Sequence, residues 1–273
     1  MRGISRNSLA EATRRLDENV LASADAAQHA VSLGSELFEV VAVLDREHSL
    51  RRWLADQANP VEAKTGLVGQ VLEGKVSPST VIVVNDVVSQ PWSGARDMTN
   101  ALERLAVYST VTSVEGTRLD ELEDELFRFQ RIVISEPELR VALTREGVEE
   151  SHLFSLVENL LSGKVNSATL ALVGQAVTRP RGRTLEQALE HLGQVVADRA
   201  QRYIAVVRSA HPLSEAQLER LRTLLNRKYD RAIHLNTEVD PDIVGGLSVR
   251  VGDEVIDGTI AGRIAEVQRR LAG

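Results

Sequence analysis

The 273-residue chain contains no cysteine, which excludes a disulfide scaffold, a cysteine nucleophile and a thiolate metal site together. Aromatic residues make up only 3% of it. That scarcity disfavours an aromatic-rich β-sandwich and suits helices packed by leucine, valine and alanine. Long apolar runs are missing as well: a segment such as Val81 to Val84 is far below the ~20 residues needed to cross a bilayer. The opening MRGISRNSLAEATRRL has charge but no apolar stretch, so no secretory signal is expected. An excess of positive charge is also absent. The formal net charge of −7 argues against broad binding to nucleic acid or anionic membranes. Together these absences describe a soluble protein suited to a reducing compartment.

What is present is ordinary globular material, 43% hydrophobic and 26% charged, long enough for about two domains at roughly 150 residues each. Its charge is uneven. Asp120, Glu121, Glu123, Asp124 and Glu125 form an acidic run, whereas Arg179 to Arg231 is rich in arginine. Solvated helix faces explain both, with an oriented protein partner as the alternative.

The chain also repeats itself. LFEVVAVLDREHSLRRWLAD from Leu37 aligns without gaps to LFRFQRIVISEPELRVALTR from Leu126. In the same register LEGKVSPST from Leu72 faces LSGKVNSAT from Leu161, and Pro91 faces Pro180. After a two-residue slip, NALERL from Asn100 faces QALEHL from Gln187. The pattern is a duplicated helical unit over roughly residues 36–107 and 125–195, each copy reading as four short helices. In the second copy Leu119, Leu122, Leu126, Phe129 and Val133 share one helical face. Pro137 opens a short helix, and Gly163-Lys164 ends another. Such apolar stripes need partners, so each copy is expected to be a bundle or part of one.

Beyond about Arg199 the pattern changes to a small α/β unit. Tyr203 to Val207 is rich enough in β-branched residues for a strand. Ser214 and Gln217 make a capping box that opens a helix running to Arg227-Lys228. Ile233 and Leu235 suggest a second strand, and Asp240-Pro241 a turn. Leu247, Val249 and Val251 alternate with polar residues, and Gly252-Asp253 returns the chain through Val255-Ile256. Ile260, Ile264, Val267 and Leu271 then mark an amphipathic terminal helix. YSTVTS from Tyr108 also resembles YIAVVRS from Tyr203, which extends the duplication to a strand remnant. The fold class read from all this is mainly α: a duplicated helical-bundle body followed by a small α/β C-terminal domain. The divisions are 1–107, 108–198 and 199–273.

Chemistry is hard to find in these residues. GQVLEGKV from Gly69 matches G-x-x-x-x-G-K, but Val76 cannot ligate magnesium and the segment continues a helix instead of following a strand. The second copy has Glu158 in place of Gly69 yet keeps Gly163-Lys164, so what the copies share is a helix cap. His29, His48, His152, His191, His211 and His234 never pair at helical spacing, and no metal site is expected. Asp253 and Asp257 sit in a hairpin, where turn hydrogen bonding explains them. Gly245-Gly246 lacks a dinucleotide-binding context and fits a bulge or a close backbone approach. A helical body without a reaction centre works by offering faces to partners.

The stretch VDPDIVGGLSVRVGDEVIDGTIAGRI, from Val239 to Ile264, resembles the C-terminal signature of the δ subunit of F-type ATP synthases, relatives of the oligomycin-sensitivity-conferring protein. The matching residues are Asp240, Gly245, Gly246, Gly252, Asp253, Asp257 and Gly258 around the alternating strand to Val251. The family usually has one helical bundle, so this chain looks like the enlarged actinobacterial members. The resemblance implies a non-catalytic peripheral-stalk subunit without cofactors, one copy per complex, peripheral at the cytoplasmic face of the cell membrane. Its helical bundle would bind the N-terminal helices of the α subunits and its tail the end of the b subunit, which keeps the α/β head from turning with the rotor. Leu9, Leu16 and Val20, with Leu102 and Leu105 opposite, are the candidate α groove, and Ile260, Ile264, Val267 and Leu271 the candidate b contact. Core packing is the alternative for each of these residues. The extra bundle either adds a second α contact or lengthens the tether. The rival reading is a general helical adaptor unrelated to ATP synthase.

Overall fold

Helix-forming sequence runs through the first two hundred residues, and its starts and stops have local causes. The computed structural model describes residues 3–19, 26–112, 114, 118–145, 147–201, 204–229, 233–240, 243, 245–251 and 254–257. Before the first strand lie α1 (Ile4–Asn19), α2 (Ala26–Arg46), α3 (His48–Ala55), α4 (Val61–Leu72), α5 (Pro78–Val88) and α6 (Ala95–Thr112). Then come α7 (Arg118–Ser135), α8 (Pro137–Leu143), α9 (Glu150–Leu161), α10 (Ser167–Thr178) and α11 (Leu185–Gln201). Ser77 caps α5 by accepting from the Thr80 N–H, with Pro78 in the first turn, where its missing N–H does no harm. Asn166 caps α10 the same way through Ala168. Gly74 and Gly163, at φ 75° and 71°, take the left-handed conformation that ends α4 and α9. The following lysines fold back on the last carbonyls, Lys75 Nζ to Val71 O and Lys164 Nζ to Leu160 O, both at 2.9 Å. The phosphate-loop look-alike is therefore a helix ending.

The duplication extends to individual hydrogen bonds. Glu36 accepts from the Ser77 N–H at 2.9 Å, the Ser77 hydroxyl at 2.7 Å and the Thr80 hydroxyl at 2.5 Å. At one constant offset, Glu125 accepts from the Asn166 N–H at 3.0 Å and the Thr169 hydroxyl at 2.5 Å. Burial pushes the Glu36 carboxyl up, but the bonds from Thr80 and Ser77 outweigh it and hold it below the ordinary value. Each carboxylate thus ties the long first helix of its copy to the cap of the fourth. Each copy contains two long helices and three short ones between them, α2–α6 and α7–α11, where four short helices were expected.

One helix serves both copies. In the first bundle α1 packs on α5 and α6, and in the second α10 packs on α6. α6 therefore stands to α10 as α1 stands to α5: it closes the first bundle and opens the second. The expected division at residue 107 falls inside α6. The helical body forms a single compact unit, Met1–Val196, and the tail a second, Ala197–Gly273. The expected strand remnant is also overturned, since Tyr108 to Thr112 are the last turns of α6. Tyr108 and Val111 there are fully buried, so packing overrides their β propensity.

In the tail, β1 (Ile204–Ser209), α12 (Glu215–Tyr229), β2 (His234–Val239), β3 (Leu247–Val251) and β4 (Glu254–Asp257) follow. The sheet order is β2-β1-β3-β4, with β1 and β2 parallel and the other pairs antiparallel. The capping box forms as expected, Ser214 N–H to Gln217 Oε1 at 2.8 Å and Gln217 N–H to Ser214 Oγ at 3.4 Å. Ala205, Val207, Val249 and Val251 line the buried face of the sheet, joined by Leu225 of α12.

Candidate partner-binding faces

A clamp holds the two bundles together. The loop between α10 and α11 carries Arg179, Arg181 and Arg183, and each reaches a carboxylate of the first copy. Arg179 spans Glu39 at 2.6 Å and Glu150 at 2.8 Å. Arg181 pairs with Asp45 at 2.6 Å and Glu103 at 2.5 Å. Arg183 grips Glu103 with two bonds of 2.8 and 3.0 Å, and His191 Nε2 lies 3.2 Å from the same carboxylate. Burial would raise the Glu103 pKa, but bonds to His191 and Arg183 and the charges of Arg181 and Arg183 hold it at about 2. Arg181 has φ 58°, a strained conformation for a non-glycine residue that persists because its side chain is fixed on both flanks.

The equivalent loop of the first copy seats on α1 by different means. Trp92 is buried and donates to Val87 O at 2.8 Å, Ser8 Oγ donates to Pro91 O at 2.6 Å, and the Ser93 N–H reaches Ser5 Oγ at 2.9 Å. The same loop position thus locks each bundle onto its own first helix. From sequence alone the arginines read as a solvated face, and no motif singles out Glu103. The signal was a glutamate inside the apolar run of α6, in register with an arginine-rich loop after Pro180.

The sequence-predicted groove residues fall mainly in the core. Leu16, Leu102 and Leu105 are fully buried, because α6 has neighbours on every side and α1 packs its apolar stripe against it. They do not line an open groove in this chain. Leu9 is half-buried, and Val20 lies outside the described residues. Ile4 of α1 and Ile82 of α5 are exposed, so the open surface of the first helix lies beside them. In the tail, the Asp240 N–H bonds Ser209 O at 2.9 Å and accordingly fixes the chain end of β2 beside β1. Gly245 is half-buried and Gly246 has φ 85° just before β3. Asp257 pairs with Ser248 across the β3–β4 ladder. Gly252, Asp253, Gly258, Ile260, Ile264, Val267 and Leu271 lie outside the described residues.

A shallow apolar cleft opens between α2, α3 and α4, lined by Val40, Val43, Leu50, Leu67 and Val71 among others. At the constant offset the second copy has Phe129, Ile132, Leu139, Leu156 and Leu160, larger at three of the five positions. The cleft is thus a packing deficit of the first copy. Val71→Leu is expected to stabilise the chain by about 0.5–1 kcal/mol, as cavity filling does. A lower melting temperature for this variant would show the cleft to be already full.

Among the described residues no group of three or more His, Asp or Glu side chains is placed to hold a metal. No described helix is long and apolar enough to cross a membrane. A family model described as "ATP synthase delta (OSCP) subunit" matches residues 105–271. The chain belongs to the ATP synthase delta (OSCP) family. It is similar to the ATP synthase subunit delta of Thermobifida fusca, 63% identical over all of both chains, and to that of Streptomyces griseus, 46% identical over all of both. In the structure of the Toxoplasma gondii mitochondrial ATP synthase hexamer, one chain aligns with a TM-score of 0.35 and 14% identity, over 62% of this chain and 95% of that one. As a member of the delta family the chain is a structural stator subunit of ATP synthase, not a catalytic one, and a peripheral part of a membrane-bound complex. The general-adaptor reading is set aside. The family match begins inside α6, at the helix that opens the second bundle. The family model thus spans the second bundle and the tail, and the two delta subunits match the first bundle as well.

Proposed function

We propose that this delta-family chain ties the catalytic head to the b subunit from the cytoplasmic face of the membrane, its helical body holding N-terminal helices of α and its tail the end of b. The observation that carries this reading is the shared helix. Because α6 is buried on both sides and the Glu103 clamp fixes the second bundle to the first, the body passes a sideways load from one bundle to the other without a hinge. A tether that resists rotor torque needs that stiffness, together with several separate contacts whose avidity exceeds any one of them.

The α contact belongs to the first bundle. On α1 the residues Ala10, Arg14 and Glu18 are exposed, whereas at the constant offset Thr99, Glu103 and Val107 of α6 are buried. The first-helix surface is thus free once per chain, beside Ile4, Leu9 and Ile82, and the duplication does not double it. Hydrogen exchange on the full chain tests this assignment with two peptides, one from the α N-terminus and one from the b C-terminus. The α peptide should protect α1 and α5 amides, and the b peptide should protect tail amides. Protection of the tail by both peptides would refute the division of labour.

A further inference from the structure

The chain has four lysines, and three of them are held in place. Lys75 and Lys164 donate to helix-ending carbonyls, and Lys228 Nζ lies 2.6 Å from Glu254. Lys64 makes no hydrogen bond or ion pair with any described residue, although it is only 4% exposed. Asp56, whose Oδ1 accepts from the Ala58 N–H at 2.9 Å, attracts Lys64 from a distance without touching it. Burial holds the Lys64 ammonium below its ordinary pKa against that attraction. A buried cation with no acceptor is unfavourable, and its place in the fold shows what could supply one.

Lys64 heads the buried stripe of α4, followed at four-residue spacing by Val68 and Leu72, which line the apolar cleft. The pull of Asp56, two residues past the cleft residue Leu54, puts the ammonium at the Leu54 end of the cleft. The cleft holds about 330 Å³ of empty space, solvent at its mouth included, and only valine and leucine line it. The second copy has no such arrangement. At the constant offset Leu153 stands for Lys64, Phe129 for Val40 and Leu160 for Val71. An apolar residue replaces the cation there, and Phe129 brings four more side-chain carbons and Leu160 one more. The first copy is both hollow and charged at one end.

We propose that the cleft of the first bundle binds a small fatty-acid anion of about six carbons, its carboxylate on Lys64 Nζ and its tail along Leu54, Leu67 and Val71. The head supplies the acceptor that Lys64 lacks, as a charge-assisted hydrogen bond. The tail supplies the carbons that Val40 and Val71 leave out, and takes its own surface out of water. A bare anion meets only the first need and a neutral hydrocarbon only the second.

Hexanoate, acetate and 1-hexanol, each titrated into the full chain at neutral pH, test this by calorimetry, with hydrogen exchange to locate the site. Hexanoate should bind roughly tenfold or more tightly than hexanol, as a hydrogen bond to a charged group provides. It should exceed acetate by roughly tenfold or more through the buried tail. Amides of α2, α3 and α4 should become protected. Lys64→Leu, which installs the residue of the second copy, should bring hexanoate down to the level of hexanol and leave hexanol binding unchanged. Val71→Leu fills the cleft and should weaken both. Hexanoate that binds no better than acetate, or no better than hexanol, overturns the proposal. So does binding indifferent to either substitution, or protection confined to other helices. Displacement of hexanoate by a peptide from the α N-terminus assigns the cleft to that peptide and overturns the proposal as well.

Discussion

Glu103→Ala is expected to lower the melting temperature of the helical body by roughly 10 °C, the equivalent of about 3–5 kcal/mol for breaking a buried ion pair on one side. The size of the effect comes from what is left behind. Arg181 is almost as buried as Glu103, their side chains being 10% and 5% exposed, and Arg183 points at the same place. Without the carboxylate, two guanidinium groups face each other with little water. Glu103→Gln keeps the shape and one acceptor, and should lose less. Acid weakens the same contact with a definite sign. The folded carboxyl titrates at about 2, against roughly 4.3 when unfolded. Its contribution, about 3 kcal/mol by linkage, is complete above the unfolded value and disappears as pH falls from there through the folded one. Urea unfolding of the native and Glu103→Gln chains should show a wide stability gap at neutral pH that narrows near about pH 3. A gap constant with pH would mean that the clamp is not where the acid sensitivity resides.

The second large effect is steric. Gly34→Val is expected to destabilise the first bundle by about 3 kcal/mol, the upper range for overpacking a close helix pair. The nearest atom to the new Cβ is the Thr110 hydroxyl at 2.3 Å, but Ala106 O and Thr110 N stand behind it at 3.1 Å. Thr110→Ala removes the first obstacle and leaves the other two. The double variant should therefore recover part of the loss, with a coupling energy of about 1 kcal/mol or more in a double-mutant cycle. Gly66 makes the contrast within the same bundle, since nothing lies within 4 Å of its Cβ position. Gly66→Ala should gain about 0.5–1 kcal/mol through the unfolded chain. Simple additivity of Gly34→Val and Thr110→Ala would show that α6 moves aside instead of resisting.

The helical repeat was legible because its signals are local. Caps such as Ser77 and Asn166, the Gly-Lys endings and the Glu36 and Glu125 positions are each fixed by residues within a turn or two, or by an in-register echo. The tail strands were legible for the same reason, since alternation at Leu247, Val249 and Val251 needs no knowledge of the neighbours. The candidate groove was not. An apolar stripe states that a helix has a partner, but it does not give the number of partners, and Leu102 and Leu105 belong to a helix surrounded on all sides. The β-branched end of α6 misled in the same way, because burial of Tyr108 and Val111 decided a conformation that their propensities opposed. The clamp escaped notice because Glu103 and Arg183 come together only when the second bundle folds onto the first. No sequence period encodes a long-range pairing of single charges.

The double membership of α6 has a further consequence, in the order of synthesis. By the time Thr112 has been synthesised, every residue of the first bundle is present, while α7 to α11 are still to come. The later helices do not have to nucleate a bundle among themselves; they meet a finished surface that presents Glu103 and the outer side of α6. The first copy thus supplies a wall of the second, since α10 packs on α6. Removing the first copy by truncation would take α6 from the second, whereas removing the second leaves every helix of the first in place, so the repeat can be shortened from one end only.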